Sequence, residues 1–431
     1  NVFDMIIYGL IMMVPIAPFS IYAGVANASN GMATIAYAIA FFAMLFSVLS
    51  FGIMIRTFPS SGSIYSYTSE SFGPALGFIA GWLMLLQYVV SPDLVITMAS
   101  EALNQYVPAM PVWGWCLIFL GIVVFIATRG LETTMLVNRI ALACEIAVLV
   151  VFAVLSVRYI IANPSLGGFT TTAIFNPEKF SMSSVMSGVS LAVFSFVGFG
   201  CVATLTEQAK HPRKGPGRAM LIMVVILAVL FMVTCYLATC VDPSGEICRH
   251  NPTNGFFLIA ERVGGTHFGQ ICAIAVALAQ GLFTALVSLV SVSQILQVMG
   301  RSGSLPKVLA RKTDKGVPIV AMLTVAVLSL AFLFPLLSIG MDSIATVVNF
   351  GALATYFLLN ACVFWHYWVK EKDHSNPVRL LICPVIGAVI IGAIFISLDS
   401  TAHIIGGAWI VVGIVYYLVT TRALKREVQM E

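Results

Sequence analysis

The sequence predicts an all-α integral membrane protein with twelve transmembrane helices. Three observations carry that expectation. Of 431 residues, 60% are hydrophobic and only 9% are charged, whereas a soluble chain carries about a quarter charged residues. The apolar residues come in blocks near the roughly 20 residues that one helix needs to cross a bilayer. No block shows the alternating pattern, about ten residues long, of a membrane β-barrel. In lipid the backbone must pair within itself, so such blocks are expected to be helical.

In chain order, the spans are expected near 4–26, 32–55, 74–104, 112–129, 134–161, 183–206, 218–241, 256–298, 318–336, 342–368, 378–397 and 402–421. The first has no cleavage site after it and is read as a span rather than a signal peptide. At mid-depth it carries Pro15 and Pro18, which remove two backbone donors and disfavour a continuous helix. The third and eighth are too long for one straight crossing, so tilt or an interfacial extension should absorb the excess. Between the fifth and sixth, residues 162–182 hold Asn163-Pro164, two glycines and Phe175-Asn176-Pro177. These are turn formers, so a folded loop is expected rather than a further domain. The sixth span carries Gly198 and Gly200 at mid-depth, where glycine relaxes the backbone. The whole chain, 1–431, reads as a single transmembrane domain.

Loop charge orients the spans. With both termini in the cytoplasm, the outer segments hold only Arg158, Lys179, Arg249 and Arg262 of the 22 basic residues. That is the asymmetry expected of a multi-pass protein of the cytoplasmic membrane. Cys240 and Cys248 flank one outer loop; they are read either as a disulfide or as two free thiols.

Two interrupted spans, five apart, point to a binding site at the membrane midplane, because carriers often unwind paired helices there. The ordinary alternative is a proline kink and glycine packing. Near the breaks, the backbone of Ile16 and Ala17 with Ser20, Phe194, Ser195 and Gly198, joined by Ser288 of the eighth span, are expected to wall a substrate site. Ionisable residues inside a bilayer are costly and therefore candidates for function. Asp93, in the third span, is expected to hold an ammonium group by a charge-assisted hydrogen bond, the alternative being an Asp exposed at a vestibule or capping the kink after Pro92. Glu145, in the fifth, is expected to load and release protons, the alternative being a structural hydrogen bond to the first or eighth span. Phe199 is expected either to gate or to face lipid or core, and Glu207 to form a cytoplasmic gate or a salt bridge.

Four stretches carry a family resemblance. They are FPSSGSIYSYTSESFGPALGFIAGW after the second span, FSFVGFGCVATLTEQAKHPRKGPGRAM from the sixth, MGRSGSLPKVLARKTDKGVPIVAM after the eighth, and VVNFGALATYFLLN in the tenth. Together they make the chain similar to the amino acid–polyamine–organocation transporters, and most similar to their bacterial putrescine importers. The resemblance implies a LeuT-like fold, a five-plus-five inverted repeat with repeats near 4–161 and 183–368 and two further helices at 378–421. It implies a secondary transporter that imports a small amine, polyamine or cationic amino acid by alternating access and draws on a proton gradient rather than a cofactor. A neutral amino acid permease or an exchanger is the alternative. Ser20, Gln87 and Gly200 stand where the resembling putrescine importers have aspartates. Glu145 stands where many members carry a lysine in place of a sodium ion.

Other classes are not supported. No basic stripe with interleaved aromatics suggests nucleic acid. The nine cysteines show no CxxC pair or metal-ligand spacing, and the six histidines are irregularly spaced in or near loops. A catalytic or metal-bearing enzyme is therefore not expected, and a channel would need a filter or a ring of charge. Partners are expected to be a small-molecule substrate and membrane lipid, with the chain a monomer or homodimer.

Overall fold

The computed structural model describes residues 2–59, 63–129, 131–313 and 316–420. Every regular element in them is helical. The first span is two helices, α1 (Val2–Met13) and α2 (Pro18–Ala28), bent by 53° at the break between them. There follow α3 (Ala33–Thr57), α4 (Ile64–Phe72), α5 (Pro74–Asn104), α6 (Val112–Ala127) and α7 (Leu131–Ala162). The second half begins with α8 (Met182–Phe196), continued by a 3-10 helix over Phe199–Gln208, and α9 (Gly215–Val241). Two short helices, α10 (Glu246–His250) and α11 (Gly255–Gly264), precede α12 (Thr266–Leu278) and α13 (Ala285–Arg301), which a π-helical turn joins into one rod. The chain continues through α14 (Ile319–Ile339), α15 (Met341–Val363), α16 (Cys383–Ile396) and α17 (Ser400–Leu418).

Ten of these rods are long and apolar enough to cross a membrane, or eleven with the bent α1–α2 pair. The chain is thus a multi-pass membrane protein. The expected count of twelve requires α6 as well, whose 16 residues fall short of that length. The expected span over 256–298 is divided: α11 ends at Gly264, and Gly265, whose φ of +79° suits glycine, breaks the rod before α12. The excess length is therefore a separate short helix. The expected span over 183–206 is α-helical only to Phe196. The third span is one helix of 31 residues, roughly 46 Å long at 1.5 Å per residue. The loop at 162–182 is folded, with 3-10 turns at Pro164–Leu166 and Thr171–Ala173.

Burial sorts the rods into centre and rim. The apolar window of α5 is 89% buried, and that of α17 only 17%. Exposed Val327, Phe334, Ile396, Ile404 and Val411 give the rim the apolar face that lipid requires. Small residues let the central rods approach closely, as in other membrane bundles. Where α3 crosses α9, a Cβ on Gly217 would lie 2.9 Å from Gly52 Cα, so nothing larger fits. Polar ties cross the same core: Asn349 of α15 donates to the Ser190 carbonyl of α8 at 2.7 Å, and Ser50 of α3 donates to Asn360 Oδ1 at 2.6 Å.

Candidate functional site

The two breaks meet. In the first span Val14 adopts φ +53°, Ala17 N–H reaches back to the Val14 carbonyl at 2.8 Å, and α2 restarts at Pro18. In the sixth, Val197 is extended and Gly198 has φ +121°, a conformation that a residue with a side chain rarely adopts. A Cβ on Gly198 would also lie 2.8 Å from Met12 Cγ, at the end of α1. Glycine there satisfies two demands at once, the turn and the contact with the other broken span.

Aromatic rings close around this meeting point. Phe199 stacks on Tyr356 of α15, with ring centroids 4.8 Å apart, and Phe51 of α3 meets Phe199 edge-on at 5.6 Å. A Cβ on Gly200 would lie 3.1 Å from the Tyr88 hydroxyl of α5. The Tyr356 hydroxyl faces the Gly198 backbone and the Gln87 side chain, yet neither it nor Gln87 Nε2 closes a hydrogen bond of normal geometry. Ser288 of α13 is fully buried with its hydroxyl also unpartnered among the described residues. A buried polar group left unpaired costs about 1–3 kcal/mol, so these groups are suited to a polar ligand or water.

The first-span break has its own polar wall. Gln280 Nε2 donates to Ser20 Oγ at 2.7 Å, and Thr284 donates its hydroxyl to the Ile11 carbonyl at 2.7 Å. The Tyr8 hydroxyl shares a hydrogen bond with Ser291 at 3.1 Å. Glu145 of α7 is buried and turned toward the backbone of Ile16, with neither carboxyl oxygen in a closed hydrogen bond. Glu145 thus brings an ionisable group to the break.

The structure brings together Ile16, Ala17, Ser20, Gly198, Phe199 and Glu145 around the two breaks. Ser195, one turn before Gly198, is buried and shares a hydrogen bond with the Tyr37 hydroxyl at 2.9 Å. Its neighbour Phe194 is half-buried on the same helix. Asp93 is not brought to the breaks. It lies six residues beyond Gln87 on α5, about 9 Å along the axis and on another face at 100° per residue. Its buried carboxyl faces Ser329 of α14. Glu207 falls in the 3-10 helix, and its side chain lies outside the described residues. Cys240 and Cys248 are both buried free thiols rather than a disulfide.

Gln280, Thr284 and Tyr88 carry polar atoms to this region without having stood out in the sequence. Gln280 and Thr284 sit four apart in an apolar run, the one signal that could have marked them as sharing a helix face. Cavities of about 520 Å³ and 270 Å³ lie beyond opposite ends of α3. The larger is lined by Asn27, Asn30, Lys179 and Asp242, and the smaller by Thr57, Tyr65, Glu70 and Arg301. Between them the two breaks are buried.

Comparison with known proteins agrees with this architecture. The family model described as amino acid permease matches residues 6–420. The low-affinity putrescine importer PlaP of Escherichia coli (strain K12) is 26% identical over 98% of this chain and 93% of its own. The branched-chain amino acid permease BcaP of Lactococcus lactis subsp. cremoris is 24% identical over 89% of this chain and 85% of its own. An arginine/ornithine antiporter of Latilactobacillus sakei is 23% identical over 90% and 84%.

Proposed function

Because the chain belongs to the amino acid permease family, whose members are transporters and not enzymes, we propose that it is a secondary carrier for a small amino acid or amine. It works by alternating access and holds its substrate where the two broken spans meet. The observation that carries this reading is the close approach of Gly198 to Met12, which joins the two breaks beside Gln87 Nε2 and the Tyr356 hydroxyl, neither of which closes a hydrogen bond. Unwound backbone and unpaired side chains offer a ligand hydrogen bonds that a continuous helix would keep for itself. Both termini lie in the cytoplasm, and Glu145 carries the coupling proton. Its support is its position: a buried carboxyl against the backbone of the first break.

Of the side chains at the breaks, Gln87, Tyr356 and Ser20 are uncharged, and Glu145 is assigned to the proton rather than to the substrate. They suit a molecule whose own charges balance, such as a neutral α-amino acid. A cationic amine is the second reading. Asp93 favours it as a buried carboxyl on the same helix as Gln87, as does the likeness to a putrescine importer.

A thermal-shift screen of putrescine, arginine and leucine on the purified protein tests the reading. Stabilisation by at least one of them, lost in Gly198→Ala, is the expected outcome. No shift with any amine or amino acid would count against it.

A further inference from the structure

A π-helical turn, Ala279–Thr284, interrupts the eighth span between α12 and α13. Such a turn inserts one residue, widens the helix and re-aims its side chains, and it is frequent at functional sites. Both polar side chains of this turn end on the first span. Thr284 donates to the Ile11 carbonyl at 2.7 Å, and Gln280 donates to Ser20 Oγ at 2.7 Å. Ile11 belongs to α1 and Ser20 to α2. One turn therefore holds both halves of the broken span.

The first of these bonds has a specific cause. In an unbroken helix the Ile11 carbonyl would accept from the amide four residues on. That residue is Pro15, which has no N–H. Ile11 is fully buried, so no bulk water can substitute, and an unpaired carbonyl there costs as much as a lost hydrogen bond. The turn is also pinned from behind. A Cβ on Gly281 would lie 2.8 Å from Ala99 Cβ of α5 and 3.0 Å from Phe119 of α6. It cannot back away from the first span.

We infer that Thr284 and Gln280 are positioning residues that set the first break. Thr284 supplies the donor that Pro15 lacks, and Gln280 fixes the start of α2 through Ser20. Their bearing on transport rests on the proposal that this break holds substrate; the positioning itself does not.

Amide hydrogen exchange of the full chain in lipid nanodiscs, with no substrate added, tests it. Thr284→Val keeps the shape and removes the hydroxyl, Thr284→Ser keeps the hydroxyl, and Gln280→Met removes the second tie. In Thr284→Val and Gln280→Met, exchange in residues 8–20 rises about tenfold, the factor of one ordinary hydrogen bond, while α9 and α14 exchange as in wild type. Thr284→Ser behaves as wild type. Unchanged exchange in residues 8–20, an equal rise throughout the chain, or a Thr284→Ser variant as fast as Thr284→Val would each overturn the inference. Because no substrate is present, a failure here is distinct from a failure of the transport reading.

Discussion

At the scale of single residues, three side chains separate the possible chemistries. Glu145 stands at the first break. If it is the coupling group, Glu145→Gln fixes the site in a permanently neutral form, and uptake loses its response to external pH while the protein still folds. Uptake measured from about pH 5 to pH 8 in proteoliposomes checks this; a wild-type profile in the variant would refute it. Gln87 faces Tyr356 at the second break with its amide nitrogen unpartnered. Gln87→Leu should weaken substrate affinity about tenfold, the value of one hydrogen bond to a ligand, measured by thermal shift against substrate concentration. Asp93 faces Ser329 instead, so Asp93→Asn should leave the affinity of a neutral substrate unchanged. Loss of binding in that variant would favour the cationic reading. Glu145 was legible in the sequence because charge inside an apolar block stands out. Gln87 was visible only as a departure from the resembling family. Asp93 was conspicuous for the same reason as Glu145, but which face of α5 it occupies depends on packing against α14 and cannot be read from one helix alone.

At the scale of elements, the breaks are the organising feature. Both were legible from local chemistry, since Pro15, Pro18, Gly198 and Gly200 restrict or relax the backbone whatever surrounds them. Their contact was not, because it joins residues far apart in sequence. The π-turn at Ala279–Thr284 was hidden as well. It substitutes one hydrogen-bond ladder for another within an apolar run, and no residue type announces it. The short α11 was merged with the eighth span although Gly264-Gly265 marks the division. Gly198→Ala combines a strained φ with a clash against Met12. It should cost about 1–3 kcal/mol of stability and abolish uptake, as read from the unfolding midpoint and from transport in parallel. An alanine variant with wild-type uptake would remove the sixth-span break from the mechanism.

At the scale of the whole molecule, lipid dictates most of the design. Apolar rods with few charges and exposed aliphatic rims are what a bilayer solvent demands; composition was enough to foresee apolar rods, whereas the burial of α5 at the centre comes from packing. The proposed orientation, with both termini in the cytoplasm, rests on the basic loops, which leave only Arg158, Lys179, Arg249 and Arg262 outside. A reporter fused to the C-terminus should therefore be active only if it functions in the cytoplasm. The claim of a saturable site opening alternately to each side is tested most directly by counterflow. Proteoliposomes preloaded with unlabelled putrescine, arginine or leucine are given a trace of the same compound in labelled form. Transport by this site predicts transient, saturable accumulation of label for at least one compound, absent in Gly198→Ala. Label that only equilibrates, in linear proportion to its concentration and equally in the variant, would contradict it.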